Sequence, residues 1–178
     1  MDATLSDMTL PARDRILAFL RGIGLAVEAR TLPDPTVLPG ISIDGGVLLF
    51  DAAKLAYPGD LLHEAGHLAV VPPAVRRTIG GNMDGDGGLE MAAIAWSYAA
   101  AVFLSLPLDI LFHPAGYRGG AASLRENFSS GRYIGVPLLE WLGMTDHMRP
   151  EAHGSASRYP AMKKWLCDEP SGLAAAPA

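Results

Sequence analysis

The sequence predicts an α+β protein with a single domain, in which a small mixed or antiparallel sheet packs against two helices. Three observations predict this class: an amphipathic helical pattern near the start, short strand-like runs after it, and two apolar helical stretches in the middle. With 178 residues, 49% of them apolar, the chain can bury one core. We expect residues 1–170 to form the domain and residues 171–178 to be a disordered tail.

The first third of the chain predicts a helix and then a sheet. In residues 11–21, apolar side chains recur at helical spacing after a proline that suits the first helical turn. Residues 25–32 alternate between apolar and polar side chains, as a half-buried strand does. Residues 41–51 predict a hairpin, because Asp44-Gly45-Gly46 separates two apolar runs.

The rest of the chain predicts helices separated by loops. Capping residues, prolines and helical periodicity place these helices at residues 51–57, 58–71, 89–106, 136–142 and 159–166. Two stretches are rich in glycine and polar residues and therefore predict irregular structure, at residues 76–88 and 113–132.

Charge and cysteine content narrow the function classes. The net charge of −5 offers no basic surface for nucleic acid. The single cysteine, Cys167, excludes an intrachain disulfide and suits a reducing compartment. The first residues lack a basic region followed by an apolar run, which a secretory signal would have. We therefore expect a cytoplasmic protein without a nucleic-acid partner.

One apolar stretch has a second interpretation as a membrane span. Residues 91–108 contain no charged side chain, and 18 residues just reach the lower limit for a transmembrane helix. Glu90 and Asp109 bound the stretch, but no cluster of Lys or Arg flanks it to set an orientation. A helix at the centre of a soluble domain has the same composition. We favour the buried helix and expect no membrane partner.

The most informative motif is His63-Glu64-Ala65-Gly66-His67, inside an apolar helical stretch. Residues four apart lie on one face of a helix, so the two imidazoles can bind the same metal ion. Glu64 follows His63 by roughly 100° of helical turn and can act as a base beside the metal. This H-E-x-x-H pattern is typical of zinc metallopeptidases. The alternative is a pair of histidines without metal, but unpartnered polar groups among apolar neighbours are costly.

A catalytic zinc usually has a third protein ligand. Glu90 is the best candidate, because the start of a long apolar helix stabilises the ionised carboxylate that binds metal. Four other side chains remain alternatives for this ligand: Asp84, Asp86, His113 and His147. Another set could hydrogen-bond a tetrahedral oxyanion, and the sequence does not choose among its members: His113, Tyr117, Arg132 and Tyr133.

The chain also resembles a known family, the gluzincin-like ImmA/IrrE-type metallopeptidases, over residues 12–107. The resemblance lies in the order of predicted elements and in four stretches: Gly22-Ile-Gly-Leu-Ala-Val, Gly46-Val-Leu-Leu-Phe-Asp, Leu62-His-Glu-Ala-Gly-His-Leu and Glu90-x-x-Ala93. It implies a zincin-like fold that cleaves a peptide or protein substrate. It also implies roles for four residues, with Glu64 as the general base and three zinc ligands: His63, His67 and Glu90.

We therefore expect a zinc-dependent peptidase. Two other functions remain as alternatives: a regulatory or binding module that holds zinc without catalysis, and an intramembrane metalloprotease that uses residues 91–108 as a span. The presence of Glu64 argues against the first alternative, because a structural metal site needs no base.

Overall fold

The computed structural model describes residues 11–36, 38–80, 87–146 and 158–168. Within these residues the chain is α+β, as predicted, with one three-stranded sheet. The strands are β1 (Val27–Ala29), β2 (Ile41–Asp44) and β3 (Val47–Phe50). The helices are α1 (Ala12–Gly22), α2 (Asp60–Ala69), α3 (Pro73–Arg76), α4 (Gly87–Phe103), α5 (Leu108–Leu111), α6 (Ala121–Ser129) and α7 (Val136–Trp141). The predicted tail, 171–178, lies outside the described residues.

The sheet is mixed, with strand order β1-β3-β2. Strand β3 lies in the centre, parallel to β1 and antiparallel to β2. The predicted hairpin is confirmed. Its turn uses Gly45 and Gly46, whose φ angles of 54° and 78° lie in the left-handed region that favours glycine. In the part of the chain that the structure describes, this order makes β2 an edge strand, and β2 lies beside the cleft described below.

Helix α4 is the central helix of the fold. Every residue from Ala92 to Ala101 is buried, which agrees with a helix that is apolar on all sides. Helix α2 packs closely along it. At the contact, a Cβ atom on Gly66 would lie only 2.7 Å from the carbonyl oxygen of Ala93. The expected buried helix is thus confirmed. Among the described residues, no helix has both the length and the hydropathy needed to cross a membrane.

Two of the predicted helices are wrong. Residues 51–57 form a turn, because the Asp51 carboxylate accepts hydrogen bonds from the backbone N–H groups of Leu32 and Ala53 and so favours a local turn. Residues 159–166 form turns and bends that are held by tertiary contacts. One of these contacts is the hydrogen bond that the Tyr159 hydroxyl donates to the carbonyl of Ala95.

The prediction of irregular structure for the stretch 113–132 is also wrong in part. This stretch contains a 3-10 turn at Tyr117–Gly119 and the helix α6. Helix α6 buries Ala121 and Phe128, which lie seven residues apart and therefore on one face. The sequence does not reveal this helix for two reasons: glycines flank it, and only two of its positions are buried.

Candidate functional site

Three side chains from two helices converge at one point of the structure. His63 and His67 lie one turn apart on α2, and Glu90 lies in the first turn of α4. The Nε2 atoms of the two imidazoles are 3.4 Å apart. Glu90 places Oε1 3.6 Å from Nε2 of His63 and Oε2 3.2 Å from Nε2 of His67. Together these three residues could hold a metal ion.

The pKa shifts of His63 and Glu90 suit a role as metal ligands. Burial, and to a smaller extent the neighbouring His67, lower the pKa of His63 to about 4, so its ring is neutral at neutral pH. The hydrogen bond with His67 lowers the pKa of Glu90, which keeps the carboxylate ionised. Neutral imidazole and ionised carboxylate are the forms that bind metals. The residues present therefore fit a divalent metal ion with nitrogen and oxygen ligands.

Glu64 lies next to His63 on α2 and lines the same cleft as the three candidate ligands. It does not belong to the group whose ligand atoms converge. Burial raises the pKa of its carboxyl group above the usual value. The structure therefore places Glu64 beside the candidate ligands, in the arrangement that the H-E-x-x-H spacing predicts.

His113 is not part of the metal-ligating group in the structure. Its Nε2 lies 2.8 Å from Oδ1 of Asp60, and both side chains are buried. The imidazole ring also stacks on Tyr57, with ring centroids 3.9 Å apart and an interplanar angle of 7°. Asp60 begins α2, one turn before His63 and Glu64, and lines the cleft with them.

Tyr117 lies beside the candidate ligands. Its ring contacts the ring of His63 edge to face, with centroids 5.2 Å apart. Tyr117 and Arg118 both have positive φ angles, 55° and 52°, which non-glycine residues seldom adopt. The Tyr117 hydroxyl is buried, and burial raises its pKa. Strained backbone of this kind is often found at functional sites.

The other oxyanion candidates lie elsewhere. Arg132 bonds to Asn127 and Glu126 at the exposed end of α6. Tyr133 packs in an aromatic cluster that includes Tyr98 and Phe128. Neither Arg132 nor Tyr133 is among the residues that line the cleft. The three remaining ligand alternatives, Asp84, Asp86 and His147, lie outside the described residues.

A cleft of about 1290 Å³ opens over the candidate ligands. Edge strand β2 contributes one part of its wall, through Ile41, Ser42 and Ile43. The loop that contains Tyr117 and Arg118 contributes another part. The volume exceeds that of a pocket for a typical small ligand, which is roughly 300–1,000 Å³.

Sequence reasoning missed two residues of this region, Asp60 and Tyr57. Asp60 was detectable in principle, because it precedes His63 by three residues and Glu64 by four and so lies on the same helical face. No sequence signal pointed to Tyr57, since its contact with His113 joins segments more than fifty residues apart.

In comparisons with known proteins, no protein-family model, no curated protein and no solved structure matches the chain. The resemblance to ImmA/IrrE-type metallopeptidases therefore stays a prediction from the motifs.

Proposed function

We propose that this protein is a zinc-dependent peptidase with a zincin-like fold, related to the ImmA/IrrE-type metallopeptidases. The observation that carries the proposal is the convergence of His63, His67 and Glu90 in a cleft that Glu64 also lines. Two histidines and one glutamate are a ligand set of catalytic zinc sites. A purely structural site would have no need of a half-buried carboxylate beside its ligands.

Each residue has a role in the proposed reaction. His63, His67 and Glu90 would hold the ion, which when bound supplies a Lewis acid that polarises a carbonyl group and acidifies water. Glu64 accepts a proton from the attacking water on a carboxylate oxygen and then donates it to the leaving amine. Burial moves the pKa of this carboxyl group toward neutral pH. A group that both accepts and donates a proton is most effective when its pKa lies near the working pH.

The cleft favours a peptide as the substrate. It is large and open, and the edge strand β2 lies in its wall. The backbone of an edge strand can pair with an extended peptide, which then lies across the site. Partly exposed apolar residues such as Leu38, Met91 and Leu124 line the cleft and would contact apolar side chains of that peptide.

Glu64→Gln tests the proposal. The zinc-loaded protein and the variant are incubated with a peptide library, and the products are identified by mass spectrometry. We expect the wild type to cleave peptides and the variant to lose at least about 100-fold in rate, because an amide cannot accept the proton of water. Zinc content of the variant should stay unchanged.

The matched control is Glu126→Gln, which alters an exposed carboxyl group on α6. It should leave cleavage unchanged. Cleavage by Glu64→Gln at the wild-type rate would refute the role of Glu64. A wild type that holds zinc but cleaves no peptide of the library would favour the non-catalytic module.

A further inference from the structure

A buried polar pair links the beginning of α2 to a distant loop. Asp60 and His113 are 4% and 5% exposed, and their side chains meet at 2.8 Å. A carboxylate accepts hydrogen bonds, so Nε2–H of His113 is the donor. A buried carboxylate that lost this partner would be destabilised, because burial already opposes its charge and raises the pKa of Asp60.

The surroundings hold this pair in one orientation. Tyr57 stacks on one face of the His113 ring. Gly116 lies so close to the ring that a Cβ atom there would be 3.1 Å from Nε2 of His113. Helix α5, which leads into His113, also approaches α2 closely, since a Cβ on Gly59 would overlap the carbonyl group of Ile110. The imidazole therefore has little freedom to move away from Asp60.

His113 begins the segment that carries Tyr117 and Arg118. This segment, residues 113–120, is short and ends where α6 begins. The positive φ angles of its two non-glycine residues, Tyr117 and Arg118, are unfavourable in themselves, so other contacts must hold them. One contact between this segment and the candidate metal centre is the Tyr117 ring against His63. The Asp60–His113 hydrogen bond fixes the start of the same segment to the same helix.

We propose that the Asp60–His113 pair is a positioning element, which fixes residues 113–120 on α2 and thereby holds Tyr117 against His63. Asp60 and His63 lie one turn apart on the same helix, so the segment is attached to α2 at two adjacent points. The importance of this arrangement for catalysis rests on the proposed peptidase function, whereas the positioning itself does not. In the metal-bound protein, the pair would maintain the orientation of the His63 ring through Tyr117.

Two measurements on the metal-free, full-length protein test the positioning. The first is hydrogen exchange of the amides of residues 113–120. The second is the position of the imidazole C–H resonances of His63 in NMR spectra, which the ring current of the adjacent Tyr117 shifts. Tyr117→Ala gives the chemical shift of these His63 resonances in the absence of the Tyr117 ring. Tyr117→Phe keeps the ring and should therefore preserve the wild-type chemical shift.

Asp60→Ala and His113→Phe should both release the segment. His113→Phe retains a ring that can stack on Tyr57 but cannot bond to Asp60. We expect exchange in residues 113–120 to become roughly fivefold or more faster in both variants. The His63 resonances should move toward their position in Tyr117→Ala. Asp60→Asn keeps an oxygen acceptor for Nε2–H and should restore both readouts most of the way to wild type.

Asp51→Ala is the matched control. Asp51 is also a buried carboxylate, but it bonds to the backbone of Leu32 and Ala53. This variant should lose stability without a change in the His63 resonances. The proposal is overturned if Asp60→Ala and His113→Phe fold and show wild-type resonances and exchange. It is also overturned if both fail to fold while Asp51→Ala folds, because the pair would then support the whole fold.

Discussion

At the scale of single residues, the candidate metal centre combines two imidazoles from one helix with a carboxylate from another. The spacing of His63 and His67 predicts that they share a face, and the start of a long apolar helix predicts that Glu90 is ionised. The first expectation agrees with the structure. The pKa of Glu90 is lowered as well, but the main cause is its hydrogen bond with His67 and not the helix start. The role of His113 could not be predicted, because its partner Asp60 is 53 residues away along the chain and only the tertiary fold brings them together.

Replacing either histidine should remove most metal binding. His63→Ala and His67→Ala each remove a nitrogen ligand, and two protein ligands are too few to bind zinc tightly. The dissociation constant for zinc, measured by competition with a chromophoric chelator, should rise by more than the roughly 10–100-fold that loss of a supporting hydrogen bond causes. Full retention of zinc in both variants would show that the motif is not a metal site.

Glu90→Ala should weaken zinc binding more than Asp84→Ala or Asp86→Ala in the same assay. Glu90 approaches both candidate histidines from the first turn of the long helix α4. Asp84 and Asp86 instead belong to a glycine-rich stretch of the sequence, and glycine restrains the backbone least. If Asp84→Ala or Asp86→Ala had the larger effect, the third ligand would be an aspartate from that stretch.

At the scale of elements, the site depends on the close approach of α2 and α4. The sequence predicts both helices, since each lies in a stretch that is rich in apolar residues. It does not predict their contact at Gly66, because an isolated glycine in a helix has several explanations. It also misses α6, whose two buried positions are too few for a recognisable apolar stripe.

Gly66→Ala should destabilise the protein by about 1–3 kcal/mol, because the added methyl group would overlap the backbone of Ala93. Urea denaturation measures this change. Gly22→Ala is the matched control, since Gly22 is also helical and a Cβ atom there would have no neighbour within 4 Å beyond its own stretch of helix. That variant should keep or slightly raise stability. Equal effects of the two substitutions would contradict the packing of α2 on α4.

At the scale of the whole molecule, residues 158–168 pack against α2 and α4. The ring of Trp165 contacts the rings of Phe19, Trp96 and Phe103. Trp96 donates a hydrogen bond from its indole to the carbonyl of Trp165, and the N–H of Cys167 donates to the carbonyl of Ala69. The local sequence predicts a helix at residues 159–166. Tertiary contacts hold this segment instead, and such contacts cannot be predicted from the periodicity of the sequence.

Trp165→Ala should lower the unfolding temperature clearly. Trp165 is partly exposed, so the decrease in the free energy of unfolding should be smaller than the roughly 3–5 kcal/mol that replacing a fully buried Trp with Ala costs. Trp141→Ala is the control, because the Trp141 side chain is 64% exposed and its removal should change stability little. A larger loss in Trp141→Ala than in Trp165→Ala would contradict the position of this segment.

The central claim is that His63, His67 and Glu90 form the metal centre of a peptidase. The most direct test is a crystal structure of the zinc-loaded protein with anomalous data collected on both sides of the zinc absorption edge. We predict one zinc peak per chain, with Nε2 of both histidines and an oxygen of Glu90 each about 2.0–2.2 Å from the ion. A peak at other residues, or a Glu90 side chain that points into solvent, would contradict the claim.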